Sequence, residues 1–176
     1  RWNSRSPMAT KWRSSHPSRG AEVAVRICAE PFDPLEELRR HQAGFGAGRA
    51  KVGALASFVG SMRDFNEGDA VSSMMLEHYP GMTDRQLEDL AARAAARWQL
   101  ADILIVHRVG EILPGDDIVL VATWSAHRAH AFESCRAVME ELKHSAPFWK
   151  KERTAAGERW VTRNTPANSA DFETRG

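Results

Sequence analysis

Hydrophobic and polar residues follow two spacings along this chain, one typical of β-strands and one typical of α-helices. Short segments rich in branched apolar residues, either uninterrupted or alternating with polar residues, predict strands. The predicted strands are residues 22–30, 52–59, 71–79, 103–109, 118–124, 148–152 and 159–163. Longer segments with apolar residues three and four positions apart predict helices at residues 34–42, 84–98 and 126–144. The order β-α-β-β-α-β-β-α-β-β predicts an α+β fold with a mostly antiparallel sheet and flanking helices.

Residues that favour helix ends and turns lie at the boundaries of these segments. Asp33, which precedes a proline, predicts the start of the first helix. Thr83, with Gln86 three residues later, predicts a capping box for the second helix. Ser125 predicts the N-cap of the third helix. The turn-forming residues 113–116 predict that the strands on either side of them form a hairpin.

The chain has 176 residues, which is enough for one domain with its own core, and we assign this domain to residues 22–163. Residues 1–21 are rich in arginine and serine, lack acidic residues, and lack the apolar segment of a secretory signal. They are expected to be disordered, and either a transit peptide or a cloning-derived leader would explain their composition. Residues 164–176 are expected to form a polar tail.

Composition and charge argue against several classes of partner. The formal net charge is +1, so the chain has no overall basic field for nucleic acid or for a membrane surface. No apolar run approaches the ~20 residues of a membrane span. Cys28 and Cys135 have the spacing of neither a disulfide framework nor a metal site. We therefore expect a cytoplasmic protein that uses no metal, cofactor, nucleic acid or membrane.

The start of the third predicted helix carries two adjacent basic residues, His127 and Arg128. The backbone N–H groups of a first helical turn are unpaired, and the helix dipole is positive there. Cations are unfavourable in such a turn unless an anion binds, and arginine adds a fork of donors for a phosphate. The pattern indicates an anion site, with an exposed His-Arg pair of no function as the alternative.

The end of the same helix carries Lys143, and Lys150 follows beyond Pro147. A turn at the proline would bring the two amines together. Repulsion between two nearby ammonium groups favours the neutral form of one of them, which is a nucleophile or a general base. Ordinary surface lysines are the alternative. Met139 lies one helical turn before Lys143, on the same face, where it either lines a site or belongs to the core.

A third set of candidates follows the second predicted strand. Arg63 lies in the polar loop after this strand, and loops at strand ends often carry binding groups. Phe58 precedes it on the strand and could line a pocket for a flat ring, although a core aromatic fits the same pattern. His107 falls within a strand and is expected to have a structural role. The spacing of His127, His130 and Glu133 does not match a metalloprotease motif.

At these residues the chain resembles the large subunit of molybdopterin synthase. The matching segments appear in the same order as in that family, at residues 57–66, 76–83, 106–110, 114–116, 125–128, 142–152 and 157–161. The Glu-His-Tyr-Pro-Gly-Met block at residues 77–82 and the Ala-Pro-Phe-Trp-Lys block at residues 146–150 are the most specific. One departure concerns an arginine that follows the Trp-Val pair in the family, because here Arg163 is followed by Asn164.

The resemblance implies an α/β-hammerhead fold and a sulfur-transfer reaction. Cyclic pyranopterin monophosphate would receive two sulfur atoms as the dithiolene of molybdopterin. The sulfur would come from the thiocarboxylated C-terminus of a small ubiquitin-like partner subunit. The large subunits would form a homodimer, and two small subunits would complete a heterotetramer. A non-catalytic scaffold subunit that binds the same partner and substrate is the alternative, and a nucleic-acid-binding α+β domain is a weaker one.

The resemblance also implies roles for individual residues. Two lysines would be catalytic, and the remaining candidates would contact the substrate. The catalytic residues would be Lys143 and Lys150. The substrate-binding residues would be Arg63, His127, Arg128, Lys151 and Glu152, to which we add Phe58 and Met139 from their positions on the predicted strand and helix.

Helix geometry predicts that this site is shared between two chains. His127 and Lys143 are 16 residues apart on one predicted helix, which corresponds to roughly 24 Å. A single pterin cannot bridge that distance. We therefore predict a composite site, with Arg63, Lys143 and Lys150 from one subunit and the His-Arg pair from the other.

Overall fold

Two β-sheets and three α-helices make up the part of the chain that the computed structural model describes, which is residues 22–66, 69–154 and 157–161. In chain order the elements are β1 (Glu22–Cys28), α1 (Pro34–Ala43), a 3-10 helix (Gly46–Lys51), β2 (Ala54–Ser61), β3 (Phe65–Asn66), β4 (Asp69–His78), α2 (Met82–Trp98), β5 (Asp102–Arg108), β6 (Gly110–Ile112), β7 (Asp117–Ser125), α3 (Arg128–Ser145), β8 (Phe148–Thr154) and β9 (Gly157–Trp160). The predicted leader (residues 1–21) and tail (residues 164–176), as well as Arg163, lie outside the described residues.

The first sheet is a buried layer between helices. Its strand order is β1-β5-β7-β2, with β1 parallel to β5 and the other pairs antiparallel. Ile103 and Ile105 of β5 pack with residues of α2 and α3 on one face, while Leu104 and Val106 pack on the other face with Leu38 of α1. Because helices cover both faces, every residue of β5 is buried. This explains why residues 103–106 at its centre form an uninterrupted apolar run.

The second sheet has the order β3-β4-β8-β9, and β6 also pairs with β4. All of its pairings are antiparallel. β5 and β7 pair as the predicted hairpin, but the chain between them leaves the first sheet at Gly110, where φ is +87°, and contributes β6 to the second sheet. The α+β class is confirmed, with two mostly antiparallel sheets in place of the single predicted one.

Two of the three predicted helix caps are wrong in position. Asp33 caps α1 as predicted, because its carboxylate accepts hydrogen bonds from two backbone N–H groups of the first turn. The α2 helix begins at Met82, one residue before the predicted cap Thr83, because Gly81 adopts φ +81° and its N–H donates to the Asp84 carboxylate. The hydroxyl of Thr83 instead accepts the N–H of Tyr79.

The third cap is displaced because its predicted residue belongs to a strand. Ser125 is the buried last residue of β7 and pairs with Ala54. The N-cap of α3 is His127, whose N–H donates to Ser125 Oγ over 3.3 Å.

No helix among the described residues is long and apolar enough to cross a membrane.

Candidate active site

A cavity of about 460 Å³ lies between the two sheets, beside the C-terminal end of α3. Its polar wall combines cationic, imidazole, hydroxyl and carboxylate side chains, which are Ser61, Arg63, His107, Lys143, Lys150 and Glu152. The rest of the wall is mainly apolar and includes Phe58, Met62, Met74, Leu76, Met139, Leu142 and Phe148. Three cations and one carboxylate give this cavity a positive charge, which suits an anionic ligand.

The end of β2 positions Arg63 at the mouth of the cavity. Met62, which precedes it, is buried and is held on both sides by the 113–116 turn. Met62 N–H donates to the Asp116 carbonyl over 2.8 Å, and Gly115 N–H donates to the Met62 carbonyl over 2.8 Å. The turn is itself fixed, because the Leu113 N–H and the Arg108 guanidinium bind the Asp116 carboxylate and lower its pKa. Arg63 is exposed, as expected for a residue that receives a ligand.

The two predicted catalytic lysines reach the cavity from different elements. Lys143 lies in the last turn of α3, and Lys150 lies on β8 just after the chain passes Pro147. The Lys150 ammonium forms an ion pair with Glu152, with 2.9 Å between Nζ and Oε1. Glu152 is only 2% exposed and also binds Arg159 over 3.3 Å. Lys150 is therefore held in place by a buried carboxylate.

Strand alternation separates Lys151 from its neighbours. Successive residues of a strand point to opposite faces of the sheet, so Lys150 and Glu152 face the cavity while Lys151 lies on the other face. There its ammonium pairs with Glu158 and lies 5.7 Å from the centre of the Trp160 ring. Hydrogen bonds from Lys151 and Arg153 lower the pKa of Glu158. The structure therefore does not bring Lys151 together with the other predicted substrate-binding residues.

The two predicted hydrophobic contacts both line the cavity. Met139 is buried on α3, and Phe58 of β2 is 40% exposed. Phe58 lies over Gly60, where an added Cβ would come within 3.1 Å of its ring and 2.9 Å of a Val119 methyl group. The glycine thus leaves room for the aromatic ring to form part of the wall.

His127 and Arg128 are not part of this cavity. They lie at the opposite end of α3, where both are exposed. The helix is unbroken from Arg128 to Ser145, so the 16-residue separation of His127 from Lys143 corresponds to roughly 24 Å in one chain. The two ends of α3 in a single subunit therefore cannot contact the same small ligand.

His107 is the cavity residue that the sequence pattern missed. It is buried at the end of β5, on the same face as Ile105, and its ring stacks on Phe148 with 3.9 Å between centroids. Its Nδ1 atom is 2.8 Å from the Arg108 carbonyl oxygen. Burial, and to a smaller extent the nearby His78, lower the pKa of His107 to about 4, although the hydrogen bond to the Arg108 carbonyl acts in the opposite direction. The alternation of side chains along β5 could have predicted that His107 faces inward. It could not have predicted the contact with Phe148, because Phe148 belongs to the second sheet.

The arrangement can bind a flat, anionic molecule. Aromatic and methionine side chains offer apolar contacts to a ring, arginine and lysine offer donors to phosphate or carboxylate oxygens, and a lysine amine can act as a nucleophile or move a proton. Among residues 22–66, 69–154 and 157–161, no group of three or more His, Cys, Asp or Glu side chains is placed to hold a metal ion.

Comparison with known proteins identifies related sequences. A family model described as MoaE protein matches residues 27–145, from the end of β1 to the end of α3. The molybdopterin synthase catalytic subunit of Ralstonia nicotianae is 50% identical over 137 residues, which cover 78% of this chain and 76% of that protein. The match includes most of the length of both proteins.

Solved structures share the fold. The molybdopterin biosynthesis MoaE protein from Burkholderia ambifaria matches with a TM-score of 0.66 at 51% identity, and the match covers 81% of this chain and 92% of that one. A complex of subunits 1 and 2 of molybdopterin-converting factor from Helicobacter pylori matches with a TM-score of 0.66 at 21% identity, over 80% of this chain and 92% of that one. At that identity the second match supports the fold alone.

Proposed function

Because this chain belongs to the MoaE protein family, we propose that it is the catalytic subunit of a molybdopterin synthase. Its substrate is cyclic pyranopterin monophosphate, which receives two sulfur atoms and becomes the dithiolene of molybdopterin. Each sulfur arrives as a thiocarboxylate on the C-terminal glycine of a small ubiquitin-like subunit. The chain is thus a sulfurtransferase of molybdenum cofactor biosynthesis. We predict that it is located in the cytoplasm.

The convergence of Lys143 and Lys150 on one cationic cavity is the observation that carries this proposal. Both the substrate phosphate and the thiocarboxylate are anions, so a cavity with three cations favours bringing them together. The sulfur comes from the partner, so the reaction needs no thiol of this chain. Cys28 and Cys135 do not line the cavity, and burial raises the pKa of both thiols, that of Cys135 to about 11. Both cysteines are therefore in the less reactive thiol form.

Each cavity residue has a separate task in this proposal. Lys143 is the catalytic amine beside the partner's C-terminal thiocarboxylate, where it moves protons as the carbon–sulfur bond breaks. Lys150, held by Glu152, provides a second ammonium that binds the reacting anions. Arg63 binds the phosphate at the cavity mouth. Phe58 and Met139 contact the pterin ring.

The remaining phosphate contacts come from a second copy of the chain. Several large apolar side chains are exposed along the edge strand β2 and on α3, from the cavity residue Val59 to Leu55 and to Phe132, which is 67% exposed. Phe132 lies one helical turn after Arg128. A dimer that buries this surface in an antiparallel arrangement would bring His127 and Arg128 of the second chain to the cavity. One small subunit per cavity then completes a heterotetramer.

A single-turnover assay tests the proposal. The purified chain would be mixed with cyclic pyranopterin monophosphate and a thiocarboxylated small subunit, and the oxidised dithiolene product would be measured by fluorescence. We expect product from wild type and a loss of at least about a hundredfold in rate for Lys143→Ala. Lys51→Ala is the matched control, because Lys51 is exposed and lies outside the cavity; its rate should equal that of wild type.

Two outcomes would contradict the proposal. If wild type makes no product although the two subunits bind each other, the chain is the scaffold subunit considered from its sequence. If Lys143→Ala keeps the wild-type rate, the sulfur transfer takes place without the amine that the proposal depends on. Lys151→Ala tests the assignment of Lys150 and Lys151 to opposite faces of β8. The proposed site does not include Lys151.

A further inference from the structure

His107 lies in the same cavity as the two lysines, yet the mechanism above gives it no task. We propose that His107 Nε2 is a hydrogen-bond acceptor that positions the substrate in the cavity by binding an N–H group of its heterocyclic ring. This inference rests on the proposed function and adds a positioning residue to it.

The proton on the His107 ring can be assigned from its hydrogen bond. Nδ1 lies 2.8 Å from the carbonyl oxygen of Arg108. A carbonyl oxygen can only accept a hydrogen bond, so Nδ1 must carry the proton. In the neutral ring Nε2 then has a free lone pair and is an acceptor.

The ring is held in one orientation. Its face is stacked on Phe148, with an angle of 11° between the planes. Its backbone belongs to β5, where it pairs with Ile27 of β1 on one side and Val119 of β7 on the other. Among the described residues, Nε2 has no hydrogen-bond partner, and it is not one of the fully enclosed polar atoms without a partner. The acceptor is thus fixed in position and accessible.

The electrostatic surroundings keep the ring neutral. Burial and, to a smaller extent, His78 of β4 together lower the pKa of His107 to about 4, against the raising effect of the Arg108 carbonyl. The other charged groups of the cavity are Arg63 after β2, Lys143 of α3, and Lys150 and Glu152 of β8. The cations disfavour protonation of the ring, while the Glu152 carboxylate is already bound to Lys150 and Arg159.

The cavity therefore offers donors to one part of a ligand and an acceptor to another. Arginine and lysine provide N–H groups for anionic oxygens, and His107 Nε2 provides a lone pair for a ring N–H. A pterin that carries a phosphate has both kinds of group, because its ring system has several N–H donors. Phe58 and Phe148 line the same cavity and can contact the flat ring. A phosphorylated ligand without a ring N–H would leave the acceptor unpaired, which is unfavourable in a buried site.

Two substitutions separate this role from a structural one. His107→Asn keeps a donor near the position of Nδ1, and so can keep the bond to Arg108, but it has no atom near Nε2. His107→Gln has an amide oxygen that can reach the position of Nε2, but it loses the bond to Arg108. If His107 positions the substrate, the asparagine variant should bind cyclic pyranopterin monophosphate about tenfold more weakly, and the glutamine variant should bind more tightly than the asparagine variant.

The measurements are calorimetric substrate binding and single-turnover kinetics, with circular dichroism and small-subunit binding as checks on folding. A structural role predicts the opposite order, with asparagine better tolerated than glutamine. The ratio of wild-type affinity to that of the His107→Gln variant should also be unchanged between pH 8 and pH 6, because the His107 ring stays neutral there while His127 is present in both proteins. A ratio that rises on acidification through pH 6.5 would overturn the proposal, because it would mean that a charged His107 imidazole binds the phosphate.

Nitrogen-15 NMR of the wild-type chain tests the proposal even if a variant fails to fold. The free protein should show the His107 tautomer with the proton on Nδ1, and addition of the substrate should shift the Nε2 resonance. An Nε2 resonance that does not respond to bound substrate would sink the idea. If the His107→Asn and His107→Gln variants both bind and convert the substrate as well as wild type does, that would contradict this inference alone. Wild type that does neither would contradict the proposed function itself.

Discussion

Glu152 is a buried carboxylate that binds two cations at the edge of the cavity. Its oxygens contact Lys150 at 2.9 Å and Arg159 at 3.3 Å. Glu152→Gln would remove the carboxylate that Lys150 and Arg159 share, and we expect the free energy of unfolding to fall by about 1–3 kcal/mol. Turnover should fall as well, because Lys150 would no longer be held in the cavity. Urea denaturation and the single-turnover assay measure the two effects.

Glu158 provides the matched control for this substitution. It also pairs with two cations, Lys151 and Arg153, but it lies on the opposite face of the sheet and is exposed. Exposed ion pairs contribute little to stability, so Glu158→Gln should change neither stability nor turnover noticeably. Equal effects of the two substitutions would mean that the buried carboxylate has no special role at Lys150.

The buried imidazole of His107 predicts a dependence of stability on pH. Its pKa is about 4 in the folded chain, against 6.5 ordinarily, so between these values the unfolded chain binds more protons. The free energy of unfolding should therefore rise with pH across this window, and His107 should contribute about 3 kcal/mol that is complete above pH 6.5 and lost by pH 4. Urea denaturation from pH 4 to pH 7 measures this slope.

His107→Gln is the control for the pH effect, because glutamine does not titrate while the other histidines stay in place. The difference in unfolding free energy between wild type and the variant should change across the window and be constant above it. A constant difference from pH 4 to pH 7 would show that folding does not lower the pKa of the His107 imidazole.

At the scale of elements, the connection into β2 crosses the corner between β7 and α3 at very close range. Gly53 N–H donates to the Ser125 carbonyl over 3.0 Å, and a Cβ at Gly53 would lie 2.3 Å from the Ala126 carbonyl oxygen. The atoms that the added Cβ would meet belong to the Ala126 backbone, so no flexible side chain can move aside. Gly53→Ala should therefore lower the free energy of unfolding by about 2 kcal/mol or more, as measured by urea denaturation.

Gly48→Ala is the corresponding control, because an added Cβ there meets no atom within 4 Å. It should leave stability nearly unchanged. If the Gly53 variant were as stable as this control, the corner would have to be loose enough to open, and the position of the His127–Arg128 end of α3 would be less well fixed than it is here.

Most elements were predictable because local patterns determine them. The buried run of β5 and the Asp33 cap are examples, since each depends on a few adjacent residues. β6 was missed because its three residues carry no periodicity of their own, and because only the left-handed turn at Gly110 takes the chain into the second sheet. Ser125 was misassigned as a cap because its pairing partner is distant in sequence.

At the scale of the whole molecule, the sequence predicted those parts of the site whose positions follow from motifs and from helix geometry. Lys143 and Lys150 line one cavity as expected from their positions around Pro147. Lys151 was grouped with them because the motif is continuous in sequence, whereas strand alternation puts it on the other face. His107 acquires its place through contact between the two sheets, and no local pattern contains that information.

The His-Arg end of α3 tests whether two chains form one site. In a composite site, each cavity combines Lys143 of one subunit with Arg128 of the other, so Lys143→Ala and Arg128→Ala homodimers should both be impaired. In a mixed dimer one cavity carries both substitutions and the other carries neither. After random subunit exchange about half of the dimers are mixed, and the mixture should regain about one quarter of wild-type activity.

The control for this experiment is a mixture of Lys143→Ala with Lys150→Ala. Both lysines line the cavity of the same subunit, so every cavity in a mixed dimer still lacks one of them and activity should not return. Differently tagged subunits that copurify would verify that exchange has occurred. If exchange is complete and the Lys143→Ala and Arg128→Ala mixture stays inactive, then the two ends of α3 do not act in a shared cavity. Arg128 would then have to act outside the lysine cavity, since the unbroken helix keeps it roughly 22 Å from Lys143 within its own chain.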